Sequence, residues 1–446
     1  MAGGTWTSQN KVRPGAYINF KAVPKSSMTV GDRGIVALAL PLNWGAGGKL
    51  IEVLSSDLLD GTSKKLVGFT AFDSESKLLA GALSYCYKAL VYRTNDGGDK
   101  ATATIGKIIA TAKYSGTLGN EIIITISQNE TTNLWTVITY LNGETVDKQI
   151  ISTENDLESN DYVDFTLAEE GALEPTAGTA LAGGTNGDVV SSSTYGSFMA
   201  LLAKAKWQTM ACISSDATIK SAVQSFIKQC RDDEGRYVQG VIADYDGADY
   251  EGIINSVSGA VIDGNTFTKE EFTVIVAGLT AGANFNESNT ARKITGATSI
   301  IGELSDSEIK TALSNGKFLL STSAGGDIKV EQDINSLHTY TSDRNYNFSK
   351  NRVIRTLDEI GTTVKTTWET SYMGKVDNNE IGRGLFKADL IQYGNELQRL
   401  AGIQEFEGAD DIDVSQGNDL DSVLVTWYVK PVDSMEKLYM TCNVNS

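Results

Sequence analysis

Histidine is almost missing from this chain: His338 is the single copy in 446 residues. Histidine is the commonest general base and metal ligand near neutral pH, so one copy limits much of hydrolytic and metal chemistry. His338, flanked by Leu337 and Tyr340, reads as a structural or interface residue. Proline is scarce, five residues against 44 glycines, which points to many turns and strand ends. The four cysteines, Cys86, Cys212, Cys230 and Cys442, lie far apart without a CxxC pair. They read as reduced, mostly buried thiols of a cytosolic chain. No apolar run approaches the roughly 18 residues of a membrane span. Met1 to Asn10 lacks the apolar stretch of a signal peptide. A net charge of −18 and a pI near 4.6 argue against nucleic acid as the main partner. The chain carries no GxSxG elbow, no GxxxxGK[ST] loop and no GxGxxG turn. Carboxylates are plentiful, yet nothing singles out a pair. No catalytic, cofactor-binding or metal-binding residue is therefore assigned, and no cofactor is expected.

Acid is itself missing from one place. The first 31 residues hold no Asp or Glu but carry Lys11, Arg13, Lys21 and Lys25. Within them, Lys11 to Phe20 reads as a short strand with a Pro14-Gly15 turn signal and nothing local to pair with. A basic strand-forming arm on an acidic body suggests a segment that lies on another subunit. The opposite imbalance occupies Glu405 to Asp421, with seven acids and no base. That stretch is either a solvated loop or a counter-surface for a basic partner such as the arm. A second acidic run, Asp244 to Glu251, lacks the ligand spacing of an EF-hand and reads as a structural or weak-ion loop.

The length favours two to four domains. Gly34 to Leu40 is an apolar run read as a buried strand, Ser74 to Lys88 as a helix, and Ala89 to Tyr92 as the next strand. From Ala101 to about Thr185 the pattern alternates and no helix is read, with an Asn142-Gly143 hairpin signal. This looks like an inserted, mostly-β domain closed by a flexible Gly-rich joint, Leu181 to Gly187. The α/β pattern resumes with a helix through Tyr195, Phe198, Leu201 and Leu202, then a strand at Met210 to Ile213. Next come an Asp216-capped helix and a strand at Tyr237 to Ala243. Thr268 with Glu271, and Ser305 with Glu308, make capping boxes for two further helices. Beyond Asn335, Val353, Leu357, Ile360 and Val364 fall at helical spacing. So do Phe386, Leu390, Tyr393, Leu397 and Leu400, with Gly402 as the stop. Two strands follow, Val423 to Val429 and Leu438 to Val444.

The expected fold is therefore α/β and α+β multidomain. A mostly parallel α/β sheet domain (25–97 with 185–334) carries the inserted mostly-β domain (98–184). A C-terminal α+β domain with a terminal strand arm (335–446) follows, and an N-terminal arm (1–24) precedes them.

Four stretches carry a resemblance. They are Arg13 to Phe20, Ala112 to Glu121, Leu181 to Gly187, and Asp343 to Asp358 centred on Asn351-Arg352-Val353-Ile354-Arg355. In this order they make the chain similar, over essentially its whole length, to contractile tail sheath proteins of the prophage type, found in phages and phage-tail-like particles. The resemblance implies a structural role without catalysis. Such proteins stack as hexameric rings or helical strands around an inner tail tube, and the extended assembly contracts irreversibly to drive the tube through a target cell envelope. Their terminal arms exchange strands with neighbours, their C-terminal domain faces the tube, and inserted domains point outward. The implied partners are copies of the same chain, the tail tube protein, and baseplate and tail terminator proteins. Nucleic acid and membrane insertion are not among them. Assembly is expected in the bacterial host cytoplasm, ending in a virion tail or phage-tail-like particle.

Together these readings make Arg13, Pro14, Tyr17, Ile18 and Phe20 the expected donated arm. Val425, Trp427, Val429, Leu438, Met440 and Val444 belong to the C-terminal strands expected to link one copy to the next. Glu405, Glu407, Asp410, Asp411 and Asp413 are candidate steering acids. With no nucleotide site in view, contraction is expected to draw on better burial and charge pairing, with glycine joints letting rigid bodies slide. Two other functions remain open at this point: a carboxylate- or metal-dependent enzyme on the α/β domain, and an adhesin carried by the β insertion.

Overall fold

The structure is a computed structural model that describes residues 2–4, 12, 15–17, 28–31, 33–188 and 191–444. The chain forms two compact units: Gly31–Thr362 with Pro431–Ser446, and Met1–Val30 with Thr363–Lys430. No helix among the described residues is long and apolar enough to cross a membrane.

The larger unit is built on a seven-stranded sheet. Its order is Lys317–Phe318, Ile253–Ser256, Gln239–Ala243, Thr209–Cys212, Ile35–Leu40, Lys88–Arg93 and Leu50–Leu54. All neighbours run parallel except Leu50–Leu54, which pairs antiparallel with Lys88–Arg93. Ile35–Leu40 is buried at every position, as a central parallel strand covered on both faces must be. Its alternate residues serve two cores. Val36, Leu38 and Leu40 meet Phe272, Ile275 and Leu279 of the helix Lys269–Gly282 and Leu79 and Leu83 of the helix Lys77–Leu83. Ile35, Ala37 and Ala39 meet Tyr195, Phe198 and Leu202 of Ser192–Leu202 and Ile219, Val223 and Ile227 of Ala217–Lys228.

Caps fix where these helices begin. The Asp216 carboxylate accepts the Thr218 N–H at 2.7 Å. Thr268 and Glu271 exchange hydrogen bonds at 3.2 and 3.0 Å, and Glu308 accepts the Ser305 N–H at 2.8 Å. The antiparallel edge strand Leu50–Leu54 is the element that the sequence pattern does not announce. It has five residues, two of them exposed.

Residues 101–182 form two antiparallel sheets. One has the order Glu144–Ile151, Trp135–Leu141, Ile122–Gln128, Thr176–Ala180; the other is Val163–Leu167, Ile108–Ala112, Thr102–Ile105. Asn142 and Gly143, with φ of 53° and 82°, make the two-residue turn expected there. Inward residues Ile108, Ala110, Ile122, Ile124, Val137, Leu141 and Val163 form the core. Trp44, from the α/β portion, is fully buried in that same core. Its ring lies 5.3 Å from Tyr114 and 6.1 Å from Tyr162, and its indole N–H donates to the Lys65 carbonyl at 3.1 Å.

The Gly-rich joint is not flexible in the way its composition suggested. The two crossing segments are laced together. Gly187 N–H donates to Asn95 O (2.9 Å), Thr185 N–H to Asp99 O (3.0 Å), and Asp99 N–H to Thr185 Oγ1 (2.8 Å). Asn120 donates to and accepts from Gly184 at 2.9 and 2.8 Å. A Cβ on Gly187 would sit 1.9 Å from the Asp96 carbonyl oxygen. Glycine serves close backbone approach here, and the insertion is held firmly to the unit that carries it.

The smaller unit contains the helix Glu380–Arg399 and the hairpin Ile412–Gln416 with Val423–Trp427. The helix ends one residue earlier than the glycine suggested: Ala401, at φ 55°, takes the left-handed position, and Gly402 N–H closes onto Leu397 O at 2.9 Å. Near the N-terminus, Gly15–Tyr17 pairs in parallel with Ala2–Gly4. The arm therefore has a local partner, against expectation, but a three-residue parallel pair is marginal and leaves room for exchange. Lys11, Arg13, Pro14, Ile18 and Phe20 lie outside the described residues, and of Tyr17 only the backbone is described.

Candidate assembly interface

The hairpin pairs Ile412 with Trp427, Val414 with Val425 and Gln416 with Val423. Trp427 lies 6.3 Å from the Tyr393 ring of the long helix and 6.1 Å from Phe406. Val425 and Trp427 are half-buried on that inward face, while Leu424 points outward, exposed. Val429 lies just past the strand and is half-buried. These side chains thus hold the hairpin to its own helix. What remains open is the backbone: no third strand joins either side of the hairpin among the described residues. An open strand edge takes a further strand through main-chain hydrogen bonds.

The candidate steering acids divide. Glu405 pairs with Lys430 at 2.6 Å, and the Asp411 carboxylate accepts the Glu407 N–H at 2.7 Å, closing a turn. Glu407, Asp410 and Asp413 are exposed and make no ion pair among the described residues. They keep this end of the unit negative.

The C-terminal tail does not form the strand expected over Leu438 to Val444. It has no secondary structure, and Leu438, Met440 and Val444 are 85%, 77% and 91% exposed. A strand needs a partner, and this stretch has none among the described residues. The root of the tail is different. Glu436 accepts hydrogen bonds from Thr290 (2.8 Å) and Gln332 (2.6 Å) and contacts the buried Lys350 ammonium.

Beneath that root lies a polar network that periodicity did not reveal. The helix Asn351–Thr367 buries Arg355, Thr356, Asp358 and Glu359 more deeply than the Leu357, Ile360 and Val364 expected to face inward. Asp333 accepts from Arg355 (2.5 Å), Asn351 (2.9 Å) and the Asn289 N–H (2.8 Å). Arg231 grips Asp358 through two hydrogen bonds of 2.7 and 2.9 Å. The Arg33 guanidinium has its pKa pulled down to about 10, first by burial and then by the nearby Arg355 charge. The available signal was charge at positions a helix of this spacing would bury, but the partners are remote in sequence.

His338 is tied to its surroundings at both its ring and its backbone. Its Nδ1 lies 2.9 Å from Ser336 O, and its backbone N–H donates to Asp249 at 2.9 Å. In the neighbouring acidic loop, Asp244 is neutralised by Lys269 (2.7 Å) and Lys317 (3.3 Å). No cluster of three or more His, Cys, Asp or Glu able to hold a metal exists among the described residues.

The strand order reverses between Ile35–Leu40 and Thr209–Cys212, where an open α/β sheet would place a ligand. There the strand ends are tied to side chains of the protein. Leu42 N–H donates to Asn95 Oδ1 (2.8 Å), and Ile213 N–H to the Tyr195 hydroxyl (3.0 Å). Burial pushes the Cys212 thiol up to about 12, which makes it a poor nucleophile.

Comparison with known proteins assigns the family. Residues 96–186 match the family described as phage tail sheath protein beta-sandwich domain, 183–336 the phage tail sheath protein central domain, and 343–445 the phage tail sheath C-terminal domain. A solved sheath tail protein from Desulfitobacterium hafniense is 37% identical, with 95% of this chain and 98% of that one covered and a TM-score of 0.83. The chain belongs to the phage tail sheath protein family. This sheath protein is also 35% identical to the phage-like element PBSX protein XkdK of Bacillus subtilis (strain 168), over 100% of both chains. Its fold extends to the helical sheath of the anti-feeding prophage in its contracted state, at 10% identity and a TM-score of 0.58 over 97% and 99% of the two chains. It is a structural subunit of a phage tail sheath and not an enzyme.

Proposed function

We propose that this sheath protein polymerises with copies of itself, as rings or a helix, around a tail tube and contracts to drive the tube through a target cell envelope. The observation that carries this is an incomplete fold: among the described residues, a hairpin with open edges and an apolar tail without a strand partner occur in one chain. Each defect is the complement of the other, or of the basic arm, in a second copy. The donated strand is Lys11 to Phe20, with Arg13, Pro14, Tyr17, Ile18 and Phe20 setting its register beside Val423–Trp427. Leu438, Met440 and Val444 bury their side chains when the tail is strand-paired. Glu407, Asp410 and Asp413 steer the basic arm.

A strand link of several hydrogen bonds at about 1 kcal/mol net each gives modest affinity, and repetition makes the mesh strong. Head-to-tail links of this kind build rings or helices instead of closed dimers. The working domains are the arm (1–24), the α/β domain (25–97 and 185–334), the β insertion (98–184) facing outward, and the C-terminal domain (335–446) facing the tube. The stretches of that last domain up to Thr362 and from Pro431 are part of the larger, α/β unit. Baseplate and terminator proteins bind the two ends of the tube-and-sheath assembly, which forms in the bacterial host cytoplasm as part of a phage tail or tail-like particle. Contraction draws on burial and charge pairing gained between neighbouring copies. Deleting residues 1–22 tests the arm: polymer yield by sedimentation falls to background while the circular dichroism of the chain is unchanged. Undiminished polymerisation of that variant would refute the arm's role.

A further inference from the structure

The C-terminal tail leaves the hairpin at Lys430, whose carbonyl still accepts the Gln404 N–H at 2.9 Å, and from Pro431 onward it belongs to the other unit. Six residues later it is fastened. Both Glu436 carboxylate oxygens are used: Oε1 accepts from Thr290 (2.8 Å) and Ser434 (3.3 Å), and Oε2 accepts from Gln332 (2.6 Å) and meets Lys350 Nζ. Asp433 adds a second carboxylate 3.6 Å from the same ammonium. The Lys350 and Glu436 side chains are 5% and 11% exposed, so this is a seat within the fold and not a surface ion pair. Everything from Lys437 to Val444 is exposed.

The seat stands on a deeply buried polar network. Gln332 and Lys350 are the sequence neighbours of Asp333 and Asn351, which are joined at 2.9 Å. Asp333 in turn holds the fully buried Arg355. A pull on the tail at Glu436 is therefore delivered directly into the α/β unit.

We propose that Glu436 is the pin of the C-terminal arm: seated on Lys350, Gln332 and Thr290, it fastens residues 433–436 to the α/β unit, so that the linking segment 437–444 leaves from that unit and not from the hairpin preceding it. The inference deepens the sheath reading and rests on it for the tail's role as a link. The pin sets where the arm starts and which unit bears its load. Glu436 is thus a positioning residue, and the arm's contacts are made beyond it.

Trypsin reads the pin on the full chain. Lys430 precedes Pro431 and resists cleavage, whereas cutting after Lys437 requires Glu436, the adjacent residue, to leave its seat. Hydrogen bonds to charged groups hold the seat, so Glu436→Gln and Lys350→Met each speed cleavage after Lys437 about tenfold or more. Thr441→Ala, beyond the pin, leaves the rate unchanged. Wild-type cleavage rates in both seat variants, with circular dichroism confirming their fold, would overturn the pin. In polymerisation assays, Glu436→Gln is expected to need a higher protein concentration than wild type. Polymerisation at the wild-type concentration with a freed tail would overturn its role in placing the arm. If wild type itself fails to polymerise, the sheath reading falls, and the trypsin rates still decide the pin.

Discussion

The Asp333 carboxylate and the Arg355 guanidinium meet at 2.5 Å, with 1% and 0% of their side chains exposed. Breaking such a pair strands a charge in the interior. Asp333→Ala is expected to destabilise the larger unit by about 3–5 kcal/mol in urea unfolding. Asp333→Leu combined with Arg355→Met recovers much of that loss, because it removes both charges. A double variant no more stable than Asp333→Ala would show that the pair does more than satisfy itself.

The insertion is mounted by Trp44 and by the laced glycine joint. Trp44→Ala opens a cavity in the β core and is expected to cost about 3–5 kcal/mol. Gly187→Ala forces a Cβ onto the Asp96 carbonyl and should loosen the joint without touching either core. Limited proteolysis separates the two accounts of this joint. Wild type resists cutting within 181–187, and Gly187→Ala is cut there. Equal and rapid cleavage of both chains would restore the flexible linker.

The tail seat is pH-dependent with a definite sign. Burial alone would raise the Glu436 carboxyl, but hydrogen bonds from Lys350, Gln332 and Thr290 outweigh it and hold the group below its ordinary 4.5. A carboxyl lowered in the folded state contributes stability above its unfolded value and loses it as pH falls through the folded one. The seat is thus complete above about pH 4.5 and is released only as the pH falls further, through the lower value the carboxyl has when seated. Cys442 is exposed whereas Cys86, Cys212 and Cys230 are buried, so a dye on Cys442 reports the tail directly. Its anisotropy should drop as the pH is lowered through this range, and Glu436→Gln should start low and show no step. An acid step of the same size in Glu436→Gln would assign the titration to another group.

Parts of this molecule are legible in local sequence because their causes are local. The apolar run of Ile35–Leu40, the Asp216 and Thr268–Glu271 caps and the Asn142-Gly143 turn each act within a few residues. The buried charges of Asn351–Thr367 escape the helical pattern because their partners, Asp333 and Arg231, come from outside the helix. Composition shows that a glycine is permissive but not which use is made of it, so the joint at 183–187 reads as flexible when it is tightly laced. The tail alternates like a strand, yet Leu438 to Val444 finds no partner strand among the described residues, the one thing a strand cannot supply for itself.

A second copy of the chain is expected to supply that partner. Electron microscopy of the purified full-length chain, concentrated without any other protein, tests it most directly. The account predicts rings or hollow tubes built from repeated copies. A chain that stays monomeric at every concentration and ionic strength tried, while fully folded, would contradict it.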